Sequence, residues 1–413
     1  MRLLYTFSVR CYYLLIVLAS PFNRKARQWL RGRKNIFGEL ARDIKKGEPL
    51  VWFHCASLGE FEQGRPIIEK IKKEKPSTRI LLTFFSPSGY EVRKDYAGAD
   101  HIFYLPLDTQ RNAKKFLALT DPLAVIFIRY EFWYNYLSAI KKNNIPLYLA
   151  SGTFRKDHVF FKGRGKWFRE QLKNFTHFFV QDESSEKLLK DAGFNNVSIS
   201  GDTRFDRVAT IAAEKKDIPL VEKFVAGHKT LIGGSTWGEE ESILASAISS
   251  MSGWKIIIAP HLVNEARLSA IENKFRKLNC IRYSRATAEN IHSHDLLLID
   301  SIGLLARIYR YGSIAFVGGG FGSGIHSLLE ASAFGVPVIF GPNYHKFHEA
   351  EGLIRCGGGF SIRNAEEFEK TFAFLAGDPL VARMASLASA NYVLSQKGAT
   401  EKISRHILAA LPD

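Results

Sequence analysis

Thiol chemistry is the first thing this sequence lacks. Its four cysteines (Cys11, Cys55, Cys280 and Cys356) are widely spaced in 413 residues and include no C-x-x-C pair. A disulfide scaffold and a thiolate zinc site are thereby excluded, and a reducing compartment suits the chain. No Pro-, Gly- or Ser-rich tract exceeds an ordinary loop, so the chain is expected to fold throughout. Metal motifs are also missing. His345, His348 and Glu349 lie close in sequence, but there is no His-Glu-x-x-His and no D-x-D beside a strand end. No metal and no resident cofactor are therefore expected, and a leaving phosphate would be stabilised by cationic side chains and helix dipoles. Acidic residues run short as well: 41 Asp and Glu face 57 Lys and Arg, for a net charge of +16. Such an excess implies an anionic partner, whether nucleic acid, an acidic membrane surface or a phosphorylated substrate.

A long apolar run is absent too. Residues 3–20 read LLYTFSVRCYYLLIVLAS, and the uninterrupted apolar core, Cys11 to Ala19, covers only nine positions. A spanning helix needs roughly 20. No small-x-small cleavage site marks a signal peptide. Directly afterwards Arg24, Lys25, Arg27, Arg31, Arg33 and Lys34 place six cations in eleven positions, where the positive-inside rule puts the cytoplasmic flank. Trp29, Ile36, Phe37, Leu40 and Ile44 then recur at helical spacing, as in an amphipathic helix that follows a short hydrophobic anchor. A hydrophobic first helix packed on its own domain is the alternative. The cations favour the anchor, with the enzyme on the cytoplasmic side of an inner membrane whose surface is anionic.

From residue 50 the pattern changes. LVWFHCAS, RILLTFF, DHIFYLPLD, LAVIFIRYEFW, IPLYLASG and HFFVQ alternate with amphipathic stretches such as LGEFEQGRPIIEKIKKEKP, and a weaker strand, VSISGDTR, closes the set near residue 204. After a linker plus a helix the plan restarts with KTLIGGST, WKIIIAPH, HDLLLIDS, SIAFVGGG and VPVIFGP. Short apolar runs separated by helices predict parallel sheets covered on both faces. The expected organisation is a membrane anchor and basic helix (1–48), a first Rossmann-like domain (49–205), a second (206–384) and a C-terminal helical segment (385–413) able to pack back on the first. Two such α/β domains should face each other across a cleft, with ligands at the carboxyl ends of the strands.

The chemistry is therefore sought in loops that follow strands. Ser57-Leu58-Gly59-Glu60 follows the first, with Glu60 near a helix start, where it serves either as a general base or as a carboxylate complementing the helix dipole. Gly233 to Glu240 follows the first strand of the second set. Its small residues suit a phosphate, and Thr236 with Glu239 equally fits a plain capping box. Gly318-Gly319-Gly320-Phe321-Gly322-Ser323-Gly324 precedes a run from Ile325 to Phe334 that carries Glu330 and reads as helix. So many glycines imply close backbone approach or positive φ, and Glu330 could accept both ribose hydroxyls below that loop. Between Phe154 and Arg169, aromatics interleave with Arg155, Lys156, Lys162, Arg164, Lys166 and Arg169. That composition suits nucleic acid or a phosphorylated lipid, and the hydrophobic amino terminus favours the lipid over nucleic acid.

These motifs together resemble the bacterial 3-deoxy-D-manno-octulosonic acid (Kdo) transferases of lipopolysaccharide inner-core synthesis, from the hydrophobic amino terminus to the last helix. Ser57-Leu58-Gly59-Glu60 meets the family's Ser-x-Gly-Glu, and Glu131-Phe132-Trp133 its Glu-x-Trp, with Asn135 beyond. Gly234-Ser235-Thr236-Trp237-Gly238-Glu239-Glu240 is similar to Gly-Ser-Thr-x-x-Gly-Glu-Glu, one residue shorter. Gly324-Ile325-His326-Ser327-Leu328-Leu329-Glu330 approximates Gly-Gly-His-Asn-x-Leu-Glu. Ala259-Pro260-His261 lacks the arginine of Pro-Arg-His, Ser151-Gly152-Thr153 replaces Asn-Ala-Arg, and Asp300 to Leu305 lacks the family's glutamate. The resemblance implies a GT-B fold and inverting transfer of Kdo from CMP-Kdo to the distal glucosamine of lipid IVA. It implies Glu60 as base, with Glu131 orienting the acceptor or supporting Glu60. Donor contacts would come from Gly234, Ser235, Thr236, Trp237, Pro260, His261, Gly322, Ser323, Gly324, Ile325, His326, Ser327 and Glu330. Acceptor contacts would come from Ser57, Gly59, Arg155, Lys156, Lys162 and Arg164. Rival readings are a UDP-sugar transferase on another membrane glycolipid, a sugar-nucleotide epimerase of the same architecture, and a non-catalytic membrane or nucleic-acid-binding protein.

Overall fold

Among the described residues the apolar runs become fourteen strands in two seven-stranded, all-parallel sheets. The computed structural model describes residues 1–214 and 216–412. The chain divides into two compact units: Met1–Arg207 with Lys397–Asp413, and Val208–Gln396.

In the first unit the strands are β1 (Leu50–Cys55), β2 (Arg79–Phe84), β3 (His101–Tyr104), β4 (Ala124–Ile128), β5 (Leu147–Gly152), β6 (His177–Val180) and β7 (Val197–Ile199). They lie in the order β3-β2-β1-β4-β5-β6-β7. All six residues of β1 are buried, because helices cover a parallel sheet on both faces. The reversal of strand order falls between β1 and β4, paired Val51 to Ala124 through His54 to Phe127. Loops leaving the carboxyl ends of two such strands diverge and open a crevice, the usual ligand position in this sheet type. Both Glu60 and Glu131 sit just beyond these two strand ends.

In the second unit the strands are β8 (Thr230–Thr236), β9 (Lys255–Pro260), β10 (Cys280–Arg282), β11 (Leu296–Leu298), β12 (Ile314–Val317), β13 (Val338–Phe340) and β14 (Gly359–Ser361), in the order β10-β11-β9-β8-β12-β13-β14. The switch point lies between β8 and β12. Both glycine-rich loops leave the sheet there. The two edge strands, β10 and β14, are three residues each and were not expected from sequence. An edge strand pairs on one side only and carries little of the apolar signal of a central one.

The amino-terminal segment corrects two expectations. Residues 24–48 do not form one amphipathic surface helix. They form two short helices, Arg24–Arg31 and Ile36–Asp43, and Trp29, Ile36, Leu40 and Ile44 are buried within the first unit. Arg33, counted above with the surface cations, points inward. Its guanidinium lies 3.8 Å from the Trp29 ring centroid and donates to the carbonyls of Phe85 and Leu105, both at 2.8 Å. Burial lowers its pKa to about 9. Arg24, Lys25, Arg27, Arg31 and Lys34 stay exposed. Arg2–Ala19 is one unbroken helix, apolar and long enough to cross a membrane, of which only Val9 is buried. It is therefore not a core helix, although Tyr5, Tyr12 and Tyr13 make ring contacts with the unit.

The boundary expected at 384/385 falls inside a continuous helix, Pro379–Ser395. The chain changes unit after Gln396. The last helix, Ala399–Ala410, then packs on Leu58–Glu74 in the first unit, with Ile403 and Ile407 in the same cluster as Phe61, Ile67 and Ile71. Burying each such aliphatic side chain contributes about 1.5–3 kcal/mol, enough to hold this helix in place.

Candidate functional site

Glu60 occupies the first turn of the helix Leu58–Glu74, whose N-cap is Ser57. The Ser57 hydroxyl donates to Glu60 Oε2, which restrains the carboxylate where the helix dipole favours negative charge. Gly59 is exposed and Glu60 partly so. Glu131 is buried and sits in a polar cluster beyond β4. Trp133 Nε1–H donates to Glu131 Oε2 and also lies 3.0 Å from His54 Nε2. His54, on β1 and fully buried, contacts Glu131 Oε2 through Nε2 at 3.2 Å and Thr83 through Nδ1 at 2.8 Å. A histidine in the middle of an apolar strand is thus explained: it ties β2 and β1 to the Glu131 turn. Burial first, and then the fields of Glu60 and Glu131, raise the Cys55 thiol well above its ordinary pKa.

Strain marks the same strand ends. Arg129 (φ 69°) closes β4 and Ser151 (φ 54°) lies in β5. Positive φ on a side-chain-bearing residue costs of order 1–3 kcal/mol and is tolerated where surrounding structure imposes it.

The basic aromatic stretch separates into buried rings and exposed cations. Phe154 and Phe160 are buried against Phe132, Phe175 and Phe178, so these rings anchor the loop and are not stacking platforms. Arg155, Lys156, Lys162 and Arg164 project outward and are exposed. Tyr130, Phe132, Arg155, His158, Val159 and Phe160 line a hollow of about 230 Å³ beside the Glu131 turn.

In the second unit, β8 ends in a bulge at Ser235 (φ 51°). Trp237 is the N-cap of the helix Gly238–Ser246. The expected Thr236–Glu239 capping box does not form. Glu240 Oε2 instead accepts from Trp237 N at 3.0 Å, while Thr236 is fully buried and donates to Glu241 at 3.0 Å. The other oxygen of Glu240 accepts from Gly319 N at 2.7 Å. A single carboxylate, 1% exposed, therefore joins the two glycine-rich loops. The backbones approach closely: a Cβ on Gly318 would lie 2.2 Å from Ser235 O. Much of the glycine content is thus required by the protein's own main chain.

Trp237, His261 and His326 form a ring stack beside these loops. Trp237 and His261 centroids are 4.7 Å apart, and His261 and His326 are 4.3 Å apart. Trp237 Nε1–H donates to His326 Nε2 at 3.1 Å, which leaves Nδ1 as the protonated nitrogen of the neutral ring. Burial, reinforced by His261, lowers the His326 pKa to about 4. The stack, with Gly322, Ser323 and Gly324, borders a cavity of about 520 Å³.

Not every expected donor residue reaches that cavity. Gly234, Thr236, Pro260 and Ile325 are buried beneath it and act as its support. The run from Ile325 to Phe334 is not a helix throughout. Only Leu329–Ser332 is helical, and Ser327 lies in the irregular segment before it. Glu330 is half-buried and adds to the pKa rise of the buried Tyr309 phenol, whose main cause is burial. A Cβ on Gly234 would meet the Tyr309 hydroxyl at 1.8 Å, whereas Ser235, Ser327 and Glu330 are not among the residues that border the cavity. Among the described residues no group of three or more His, Cys, Asp or Glu converges as a metal site. His54, Trp133, Glu240 and Tyr309 were missed as site residues. Trp133 and Glu240 did carry a signal, one as the aromatic of the Glu-x-Trp motif and the other as the last carboxylate of a glycine-loop motif.

The family described as 3-deoxy-D-manno-octulosonic-acid transferase matches residues 31–207. The 3-deoxy-D-manno-octulosonic acid transferase of Aquifex aeolicus is 31% identical over 332 residues, covering 78% of this chain and 85% of the relative. The chain belongs to the Kdo transferases. Among solved structures, the UDP-GlcNAc 2-epimerase of Neisseria meningitidis superposes with a TM-score of 0.64 over 87% of this chain and all of that one, at 16% identity. A glycosyltransferase of Rickettsia africae gives 0.56 over 88% and 97%, at 13% identity. At such identity only the fold is shared. It is the GT-B fold of two Rossmann-like units, and this Kdo transferase carries it with an apolar helix at the amino terminus.

Proposed function

We propose that this Kdo transferase moves Kdo from CMP-Kdo to the distal glucosamine hydroxyl of lipid IVA, with inversion and release of CMP, and that Glu60 is the general base. One observation carries the reading: two carboxylates, Glu60 and Glu131, flank the switch point of the first unit, one restrained by Ser57 and the other by Trp133. An acceptor alcohol must lose its proton as the new bond forms, and a restrained carboxylate accepts it. The acceptor oxygen then attacks the anomeric carbon from the face opposite CMP. Glu131 places the acceptor, with the exposed cations Arg155, Lys156, Lys162 and Arg164 for its phosphates. The second unit's cavity takes the donor, with the Gly234–Trp237 and Gly322–His326 loops against the phosphate and the Kdo carboxylate, and Glu330 toward the ribose. No metal is assigned a part. The helix Arg2–Ala19 attaches the enzyme to the cytoplasmic face of the membrane that supplies the acceptor.

Glu60→Gln tests the central assignment. Single-turnover transfer should slow by about 10²–10⁴-fold, with folding and CMP binding intact. Near-wild-type transfer would remove Glu60 from the mechanism and pass the role of base to Glu131.

A further inference from the structure

The turn that carries Glu131 and Trp133 runs directly into the helix Tyr134–Lys142, and that helix is capped from a distance. Its own N-cap, Trp133, makes no side-chain capping bond. Helix N-termini leave several N–H groups without partners inside the helix. Here the partner is Asp108, beyond β3 and 1% exposed. Asp108 Oδ1 accepts from Tyr136 N at 3.1 Å and Oδ2 from Asn135 N at 3.2 Å, and Asn135 Nδ2 donates back to the Asp108 carbonyl at 2.8 Å. The fourth contact comes from the amino-terminal helix. The Tyr5 hydroxyl donates to Asp108 Oδ2 at 2.6 Å. The Tyr5 ring stands edge-on to Tyr134 at 4.7 Å and lies 6.2 Å from Trp167.

A helix that only attached the enzyme to a bilayer would have no need of this bond. Its outward face is apolar, with Leu3, Leu4, Phe7, Leu14, Leu15 and Leu18 all more than half exposed. Tyr5 turns the other way and places a charge-assisted hydrogen bond in the cap. Such bonds are about twice as strong as neutral ones, and Asp108 is shielded from competing water. Three peptide units separate Trp133 from Tyr136. A shift of the cap therefore moves the Trp133 indole, which holds Glu131 Oε2.

We infer that Tyr5 and Asp108 are positioning residues for the Glu131–Trp133 turn, so that the amino-terminal helix is part of the acceptor-site scaffold as well as a means of attachment. The inference rests on the assignment of Glu131 to acceptor placement. Its consequence is that loss of the helix impairs transfer even where no membrane is present.

The test uses the full chain in detergent micelles with lipid IVA, so that attachment to a bilayer does not limit the rate. Tyr5→Phe keeps the ring and the apolar character of the helix and removes only the hydroxyl. It should raise the acceptor KM about tenfold, as for a lost bond to a charged group, with the KM for CMP-Kdo unchanged and the melting temperature lowered by no more than about 4 °C. Glu131→Gln and the double variant complete a cycle, and coupled residues give non-additive effects. Acceptor KM raised in both single variants, and raised in the double variant by less than their product, supports the inference. Full multiplication of the two effects, or an unaffected Tyr5→Phe enzyme beside an impaired Glu131→Gln one, overturns it. An unaffected Glu131→Gln enzyme instead overturns the underlying role of Glu131. Should Tyr5→Phe lower the melting temperature by more than that, Asp108→Asn supplies the second reading, since it keeps one acceptor oxygen for the cap and can still bond the tyrosine. An acceptor KM that follows stability alone across both variants would count against positioning.

Discussion

The junction between the two glycine-rich loops is the most exposed point of the donor-site architecture to a single change. Glu240 holds Trp237 N at 3.0 Å and Gly319 N at 2.7 Å from a position 1% exposed. Each is a hydrogen bond to a charged group, worth about 1.5–3 kcal/mol. Glu240→Ala removes both, and the side-chain space left behind adjoins the 520 Å³ cavity, so water can reach part of what is lost. The expected cost is about 2–4 kcal/mol, a large share of the roughly 5–15 kcal/mol typical of a folded domain. Glu240→Gln keeps one acceptor oxygen and turns an amide N–H₂ toward the other main-chain donor. About half the loss should remain, about 1–2 kcal/mol. Because the two loops are placed by this side chain, CMP affinity should fall about tenfold in Glu240→Gln, the equivalent of 1.4 kcal/mol. Urea unfolding followed by circular dichroism reads the first quantity, and calorimetric titration with CMP reads the second. A Glu240→Ala protein that unfolds at the wild-type midpoint and binds CMP equally well would show that the loops are held by other contacts.

Two further outcomes follow from the second unit. Glu330→Gln should weaken CMP binding by about ten- to a hundredfold without changing the unfolding midpoint; equal binding in the titration would take Glu330 out of the donor site. His326 titrates near pH 4 in the folded protein and near 6.5 when unfolded. Between those values the unfolded chain binds the extra proton, so this group's contribution is intact above pH 6.5, declines as pH falls toward 4, and is gone below it. With partial exposure allowed for, about 2 kcal/mol is at stake, and His326→Gln should flatten that part of the stability–pH curve. An unchanged slope in urea titrations from pH 7 to 4 would refute the assignment.

The two-sheet plan was legible in the residues because parallel strands are buried on both faces. VWF, AVIFI and IIIA appear as unbroken apolar runs and fold within β1, β4 and β9. The edge strands β10 and β14 were hidden because three residues paired on one side carry little of that signal. The loops that carry Glu60, Glu131, Trp237 and His326 were legible for a related reason, since each follows such a run and breaks it with small or charged residues.

Which partners those loops have was decided only by tertiary structure. Arg33 reads as one more surface cation until Phe85 and Leu105 present their carbonyls to it. His54 reads as no more than a polar interruption of an apolar strand until Thr83, on the next strand, fixes its ring. Tyr5 and Asp108 are 103 positions apart, and nothing local to either marks the other. Hydrophobic periodicity is a property of neighbours along the chain, so a sequence displays it directly. A buried hydrogen bond between distant segments depends on where the sheet delivers each backbone and which donors it leaves unpaired, and only the folded chain determines that.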